Sequence, residues 1–169
     1  MSPAPLSRIT VGVVVERRKS DSAWIDFLWR PAGILPDAPG LAAWNVLRDE
    51  GDSVLFYAGS CSIELHRSET ARYRDNLVTG NSLLWVVLSP TEGEHPYALA
   101  AVTADPAEGE AFTEAGANLV ETVAMPDAVR ETVAAFVAEH HVEREFVKRK
   151  RDRVNPEALA RRQPEGRQE

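Results

Sequence analysis

A chain of 169 residues, 44% hydrophobic and 27% charged, has the length and balance of one ordinary globular domain with a real core. Its net charge of -7 weighs against a general nucleic-acid binder, and its single cysteine excludes an intramolecular disulfide, as expected in a reducing cytosol. No apolar run is long enough to span a bilayer and Ile9–Val15 is too short for a secretory core, so the expectation is a cytoplasmic protein without a membrane segment.

The charge is unevenly spread. Lys148–Glu169 holds eight Lys/Arg and four Asp/Glu, which gives that segment +4 and leaves -11 on the first 147 residues. The organisation predicted is a loose N-terminus over residues 1–7, one globular domain over 8–147, and a basic tail over 148–169 with too little apolar content to order on its own.

Taken in order, Arg8–Arg17 predicts a strand with Ile9, Val11, Val13 and Val15 on one face. Trp24–Leu35 alternates again, with Ile25, Phe27 and Trp29 on one side. Pro31 lacks a ladder donor and confines that strand to an edge. Leu41, Trp44 and Leu47, spaced by three before Gly51, suggest a short helix. Ser53–His66 reads as a hairpin turning at Gly59-Ser60. Val54, Phe56, Ala58, Cys61, Ile63 and Leu65 then share one apolar face. Arg67–Gly80 suits either a short helix capped by Ser68 or a further strand. Leu83–Ser89 is apolar on both faces and predicts a central, doubly covered strand, followed by a strand at Tyr97–Thr103.

Asp105-Pro106-Ala107-Glu108 has the residues of a capped helix start, with Glu108 at the capping-box position and Gly116 as the stop. Asn118–Ala124 reads as an edge strand. Pro126 opens the longest helix, whose stripe is Val129, Val133, Phe136, Val137, His140 and Val147. The fold class expected is α+β: a mainly antiparallel, curved or barrel-like sheet, one long C-terminal helix, and one or two short helices.

The chain has no Gly-rich phosphate loop, Cys pair, helical HExxH or GxSxG. No catalytic residue, metal ligand or bound cofactor is assigned. Arg67, Arg72 and Arg74, with His66, form a candidate set for an anionic ligand, to which Tyr73 and Asn76 would add hydrogen bonds. The competing and favoured reading is a polar loop in which Glu69 pairs with Arg72 and Tyr73 packs. His141 and Glu145, four apart, are read as a solvated pair before a shared metal or proton site, and His140 as a core or interface histidine. Cys61, on the expected core face, should behave as a small hydrophobe. Trp29, Trp44 and Trp85 are expected in the core. Trp24 lies on the opposite face to Trp29 and is a candidate partner anchor. Lys148, Arg149, Lys150, Arg151 and Arg153 are read as a solvated helix end or a contact for an acidic partner. Nucleic acid takes the least weight, since no aromatic residue interleaves them.

Three stretches, Val11–Pro31 (VGVVVERRKSDSAWIDFLWRP), Tyr57–Leu77 (YAGSCSIELHRSETARYRDNL) and His140–Asp152 (HHVEREFVKRKRD), resemble the bacterial family known as domain of unknown function 3305, over roughly Ile9 to Arg153. Members of that family are typically encoded beside formate dehydrogenase and its accessory genes, and some carry labels tied to molybdopterin-guanine dinucleotide synthesis. The resemblance implies a non-catalytic accessory, assembly or regulatory protein for a molybdenum- or tungsten-dependent formate dehydrogenase, partnered by a subunit of that enzyme or one of its accessory proteins. The alternative it implies is an enzyme or carrier in maturation of the cofactor, binding a pterin nucleotide through Arg67, Arg72 and Arg74 with His66 or His140 carrying a proton. The chain lacks the Gly-rich, Lys-containing N-terminal loop that nucleotidyl transfer would need.

Overall fold

The computed structural model describes residues 4–141. The basic residues Lys148, Arg149, Lys150, Arg151 and Arg153, together with Glu145 and Val147, lie outside the described residues.

Among the described residues seven strands form two antiparallel sheets, with three helices, so the class is α+β. The first sheet has the order β2-β1-β4-β3, built from β1 (Ser7–Lys19), β2 (Phe27–Leu35), β3 (Asn45–Asp49) and β4 (Ser53–Leu65). The second has the order β6-β5-β7, from β5 (Leu83–Pro90), β6 (Tyr97–Thr103) and β7 (Leu119–Ala124). The sheets lie against each other, β4 to β6 and β2 to β7, without closing into a barrel. The helices are α1 (Thr70–Val78), preceded by a 3-10 turn at Arg67–Glu69, α2 (Pro106–Glu114) and α3 (Asp127–His140).

The inner row of β1 is Val11, Val13 and Val15, fully buried as its period of two requires. Pairing starts earlier than expected at the N-terminus, because Leu6 already donates to the Leu65 carbonyl at 2.9 Å.

The predicted hairpin at Gly59-Ser60 is not there. Ser53–Leu65 is one continuous strand that pairs with β1 along its whole length, from Ser7↔Leu65 to Arg18↔Ser53. Val13 lies opposite Gly59 and Val14 opposite Tyr57, so Ala58 is an extra residue in a β-bulge. Gly59 has φ 132°, which a residue with a side chain rarely adopts. One inserted residue reverses the alternation of faces just as a two-residue turn would. The apolar set therefore stays together, with Val54, Phe56, Ala58, Ile63 and Leu65 buried.

The predicted helix at Leu41–Arg48 is also replaced. Asn45–Asp49 is the edge strand β3, and Trp44 has φ 67°. Gly51, read as the helix stop, sits at φ 82° in the tight turn to β4, where its N–H donates to Asp49 Oδ1 at 2.9 Å.

Other elements match. β5 is central in its sheet and buried on both faces: Leu84, Val86 and Leu88 join the main core, while Val87 is buried on the opposite face. Trp85 shares that opposite face under α2, where Gly109 comes so near its ring that a Cβ would collide with it. Pro31 is on an edge strand, at a register shift. Asp105 caps α2, its Oδ1 accepting from the Ala107 N–H at 2.9 Å. Glu108 does not complete a capping box; it accepts instead from Thr103 Oγ1 at 3.0 Å. On α3, Val129, Val133, Phe136 and Val137 are buried, and Phe136 meets Tyr73 of α1 edge-on at 6.1 Å. Each such side chain contributes roughly 1.5–3 kcal/mol on burial.

Candidate functional site

Two regions concentrate polar or aromatic chemistry. The first is the corner where β4 runs through His66 into α1. Tyr73, 1% exposed, faces back to the strand end, and its hydroxyl accepts from the His66 N–H at 3.0 Å. Burial pushes the phenol up to about 12, because the anion would be desolvated. Asn76 holds three backbone groups: its Nδ2 donates to the carbonyls of Leu83 (2.8 Å) and Ala104 (3.0 Å), and its Oδ1 accepts from the Leu83 N–H at 3.0 Å. Both residues, expected to help read an anion, are thus engaged by the backbone.

The arginines of this corner do not converge. Arg72 pairs with Glu69 at 2.6 Å and with the buried Asp105 at 3.1 Å, and the Asp105 hydrogen bond raises its pKa further. The local Glu69–Arg72 pairing and the packing of Tyr73 are those of the favoured sequence reading. Arg74 stands about 200° further round the helix, with its Nη1 3.4 Å from His141 Nε2. His141 Nδ1 is in turn 3.1 Å from Thr70 Oγ1, so His141 ties the end of α3 to α1. Arg67 is exposed on the 3-10 turn, and Ser68 bonds Glu69 Oε1 at 3.2 Å instead of capping the helix. His66 Nε2 is 3.6 Å from Glu64 Oε2. His140 is half-buried, its ring 4.6 Å from that of Phe136. Cys61 is half-buried against the core, and burial raises its thiol, as for a small hydrophobe. Among the described residues no cluster of three His, Cys, Asp or Glu side chains could hold a metal ion. No helix among them is long and apolar enough to cross a membrane.

The second region was not singled out from the sequence. The Trp29 ring on β2 stacks on Phe56 of β4 at 5.7 Å. Trp44, turned by its positive φ, meets both edge-on, and His95 from the β5–β6 loop stacks on Trp44 at 4.8 Å. Tyr97 closes the group against Trp29 at 6.4 Å. Over this cluster lies Arg17, next in the inner row of β1 after Val11, Val13 and Val15. Its guanidinium carbon is 4.5 Å from the Phe27 ring centroid and 5.3 Å from that of Phe56. Such contacts contribute about 0.5–1 kcal/mol each. The signal for it in the sequence is the period of two, which puts Arg17 on the core face of β1.

Beside this cluster the chain exposes apolar surface. Trp24 is 94% exposed, and Ile25, Phe27 and Leu28 follow at 41–53%. Trp24 is therefore accessible, as the anchor reading requires. Trp29, Trp44 and Trp85 are half-buried.

Residues 10–150 match the family described as Protein of unknown function (DUF3305). The chain belongs to that family. Neither a curated protein nor a solved structure matches it.

Proposed function

We propose that this DUF3305 protein is a non-catalytic accessory protein that acts by binding another protein, and that the partner is a component of a molybdenum- or tungsten-dependent formate dehydrogenase or of its assembly machinery. The observation that carries the binding role is the strip Trp24–Leu28. A tryptophan left 94% in water at the head of three further exposed apolar residues is costly surface for a chain to keep. Tryptophan anchors of this kind dominate interface energetics. The choice of enzyme follows from the family resemblance. The alternative, handling of a pterin nucleotide by Arg67, Arg72 and Arg74, has less support, since Arg72 and Arg74 leave α1 in different directions toward separate partners.

The test is affinity capture of the tagged full-length chain from its own organism grown on formate, with mass spectrometry of co-purifying proteins. Formate dehydrogenase subunits or their assembly proteins should be recovered in near-stoichiometric amount, and Trp24→Ala should reduce recovery at least tenfold. Capture of no such component would overturn this reading.

A further inference from the structure

The inner row of β1 runs Val11, Val13, Val15, Arg17. A cation at the fourth position breaks the pattern that buries the other three. Such a break usually has an internal compensation, and five arginines of the fold show what that looks like: Arg8, Arg18, Arg30, Arg48 and Arg72 each have a carboxylate within 4.0 Å. Arg17 does not. Among the described residues its guanidinium makes neither an ion pair nor a hydrogen bond, and its neighbours are the rings of Phe27, Phe56 and Trp29. An aromatic ring offers no lone pair to a guanidinium, so the N–H donors remain without an acceptor. The nitrogens are not sealed in either, since the described residues contain one buried side-chain polar atom without a partner and it is Ser82 Oγ.

A planar fork of donors lacking an acceptor matches a carboxylate held by two parallel hydrogen bonds. The surface next to it is apolar: Phe27 both touches Arg17 and is 41% exposed, continuous in sequence with the Trp24–Leu28 strip. The geometry points to Arg17 as the receptor for a carboxylate side chain of the partner protein, carried on a segment whose neighbouring residues are apolar and cover Phe27 and Trp24. This rests on the binding role proposed above and adds the chemistry of the segment recognised.

The test uses the full-length chain and two synthetic peptides with blocked termini, each a leucine-rich dodecamer, one with a central Glu and one with Gln in its place. Binding is read from the Arg17 Nε–H NMR signal and from fluorescence anisotropy. The Glu peptide should bind at least tenfold more tightly than the Gln peptide and shift the Arg17 signal. Arg17→Met should abolish the difference, and Arg17→Lys, which keeps the charge without the fork, should restore only part of it. Equal binding of the two peptides, binding of neither, or a preference that survives Arg17→Met would overturn the inference. So would a saturable sub-millimolar shift of the Arg17 signal by benzoate or inorganic phosphate alone, which would assign the site to a free anion. Failure here is separable from failure of the accessory role. Capture of enzyme components lost in Trp24→Ala but unchanged in Arg17→Met would sink the Arg17 assignment and leave the role standing; peptide discrimination without capture of any enzyme component would do the reverse.

Discussion

Arg72 and Arg17 both project from ordered elements of one fold, yet Arg72 has two carboxylates within 3.1 Å and Arg17 has three aromatic rings and no carboxylate. The regions around them differ in the same sense. At the α1 corner, Tyr73, Asn76, Asp105 and His141 direct their polar atoms at the protein's own backbone and side chains. At the β2 edge, Trp24, Ile25, Phe27 and Leu28 are exposed, and Arg17 lies against rings with no carboxylate beside it. Polar groups that satisfy one another hold a fold together, and groups left without an internal partner are those able to meet something else. Counting cations in the sequence pointed to the α1 corner. Asking which cation is held against rings with no carboxylate beside it points to the β2 edge.

The contrast is most easily broken at Asn76. Asn76→Ala leaves the Leu83 N–H and the carbonyls of Leu83 and Ala104 without their side-chain partner in a buried setting. The expected loss is about 3 kcal/mol, measured by urea denaturation, with partner capture by the folded fraction unchanged. A loss below roughly 0.5 kcal/mol would mean that the corner is not held by this side chain.

A smaller effect, with a distinct pH signature, is expected at Tyr73. The folded state holds the phenol neutral to about pH 12, against 10 for an exposed tyrosine. A pKa raised on folding contributes stability that is complete below pH 10 and is lost as pH rises toward 12. Tyr73→Phe forfeits the hydrogen bond from the His66 N–H, costing about 1 kcal/mol at neutral pH, but it removes the titrating group. The gap between wild type and variant should therefore narrow above pH 10 and then reverse. Parallel stability curves up to pH 12 would show that Tyr73 does not titrate in the folded protein in this way.

How much of this was legible beforehand depends on the range of the interaction. β1, β5, β6 and β7, and the helices α2 and α3, follow from local alternation, stripes and caps within a dozen or so residues. β4 was half-legible: the alternation of Val54, Phe56, Ala58, Cys61, Ile63 and Leu65 names the right face, but a bulge and a two-residue turn reverse the phase identically, and the presence of β1 as a thirteen-residue partner decides between them. β3 failed because the spacing of Leu41, Trp44 and Leu47 imitates a helix face, whereas Trp44 is placed by Trp29, Phe56 and His95, up to fifty-one residues away. The α1 corner divides the same way. The Glu69–Arg72 pair, three residues apart, was legible, whereas Asp105 lies 33 residues from Arg72 and His141 lies 67 from Arg74, so those two partners were not.

The smallest effect on stability is expected where the effect on binding is largest. Trp24 is 94% exposed and its N–H bond to Ser22 Oγ comes from the backbone, so Trp24→Ala removes almost no buried surface and leaves that bond intact. Its unfolding free energy should match wild type to within about 0.5 kcal/mol, while partner capture falls at least tenfold. Both numbers are needed. A stability loss above about 1 kcal/mol would mean that the indole packs on the protein itself, and the strip would lose its claim to be a surface kept for something else. Unchanged stability with unchanged capture would leave the partner contact elsewhere, and the two arginines would then differ only in how the fold itself accommodates them.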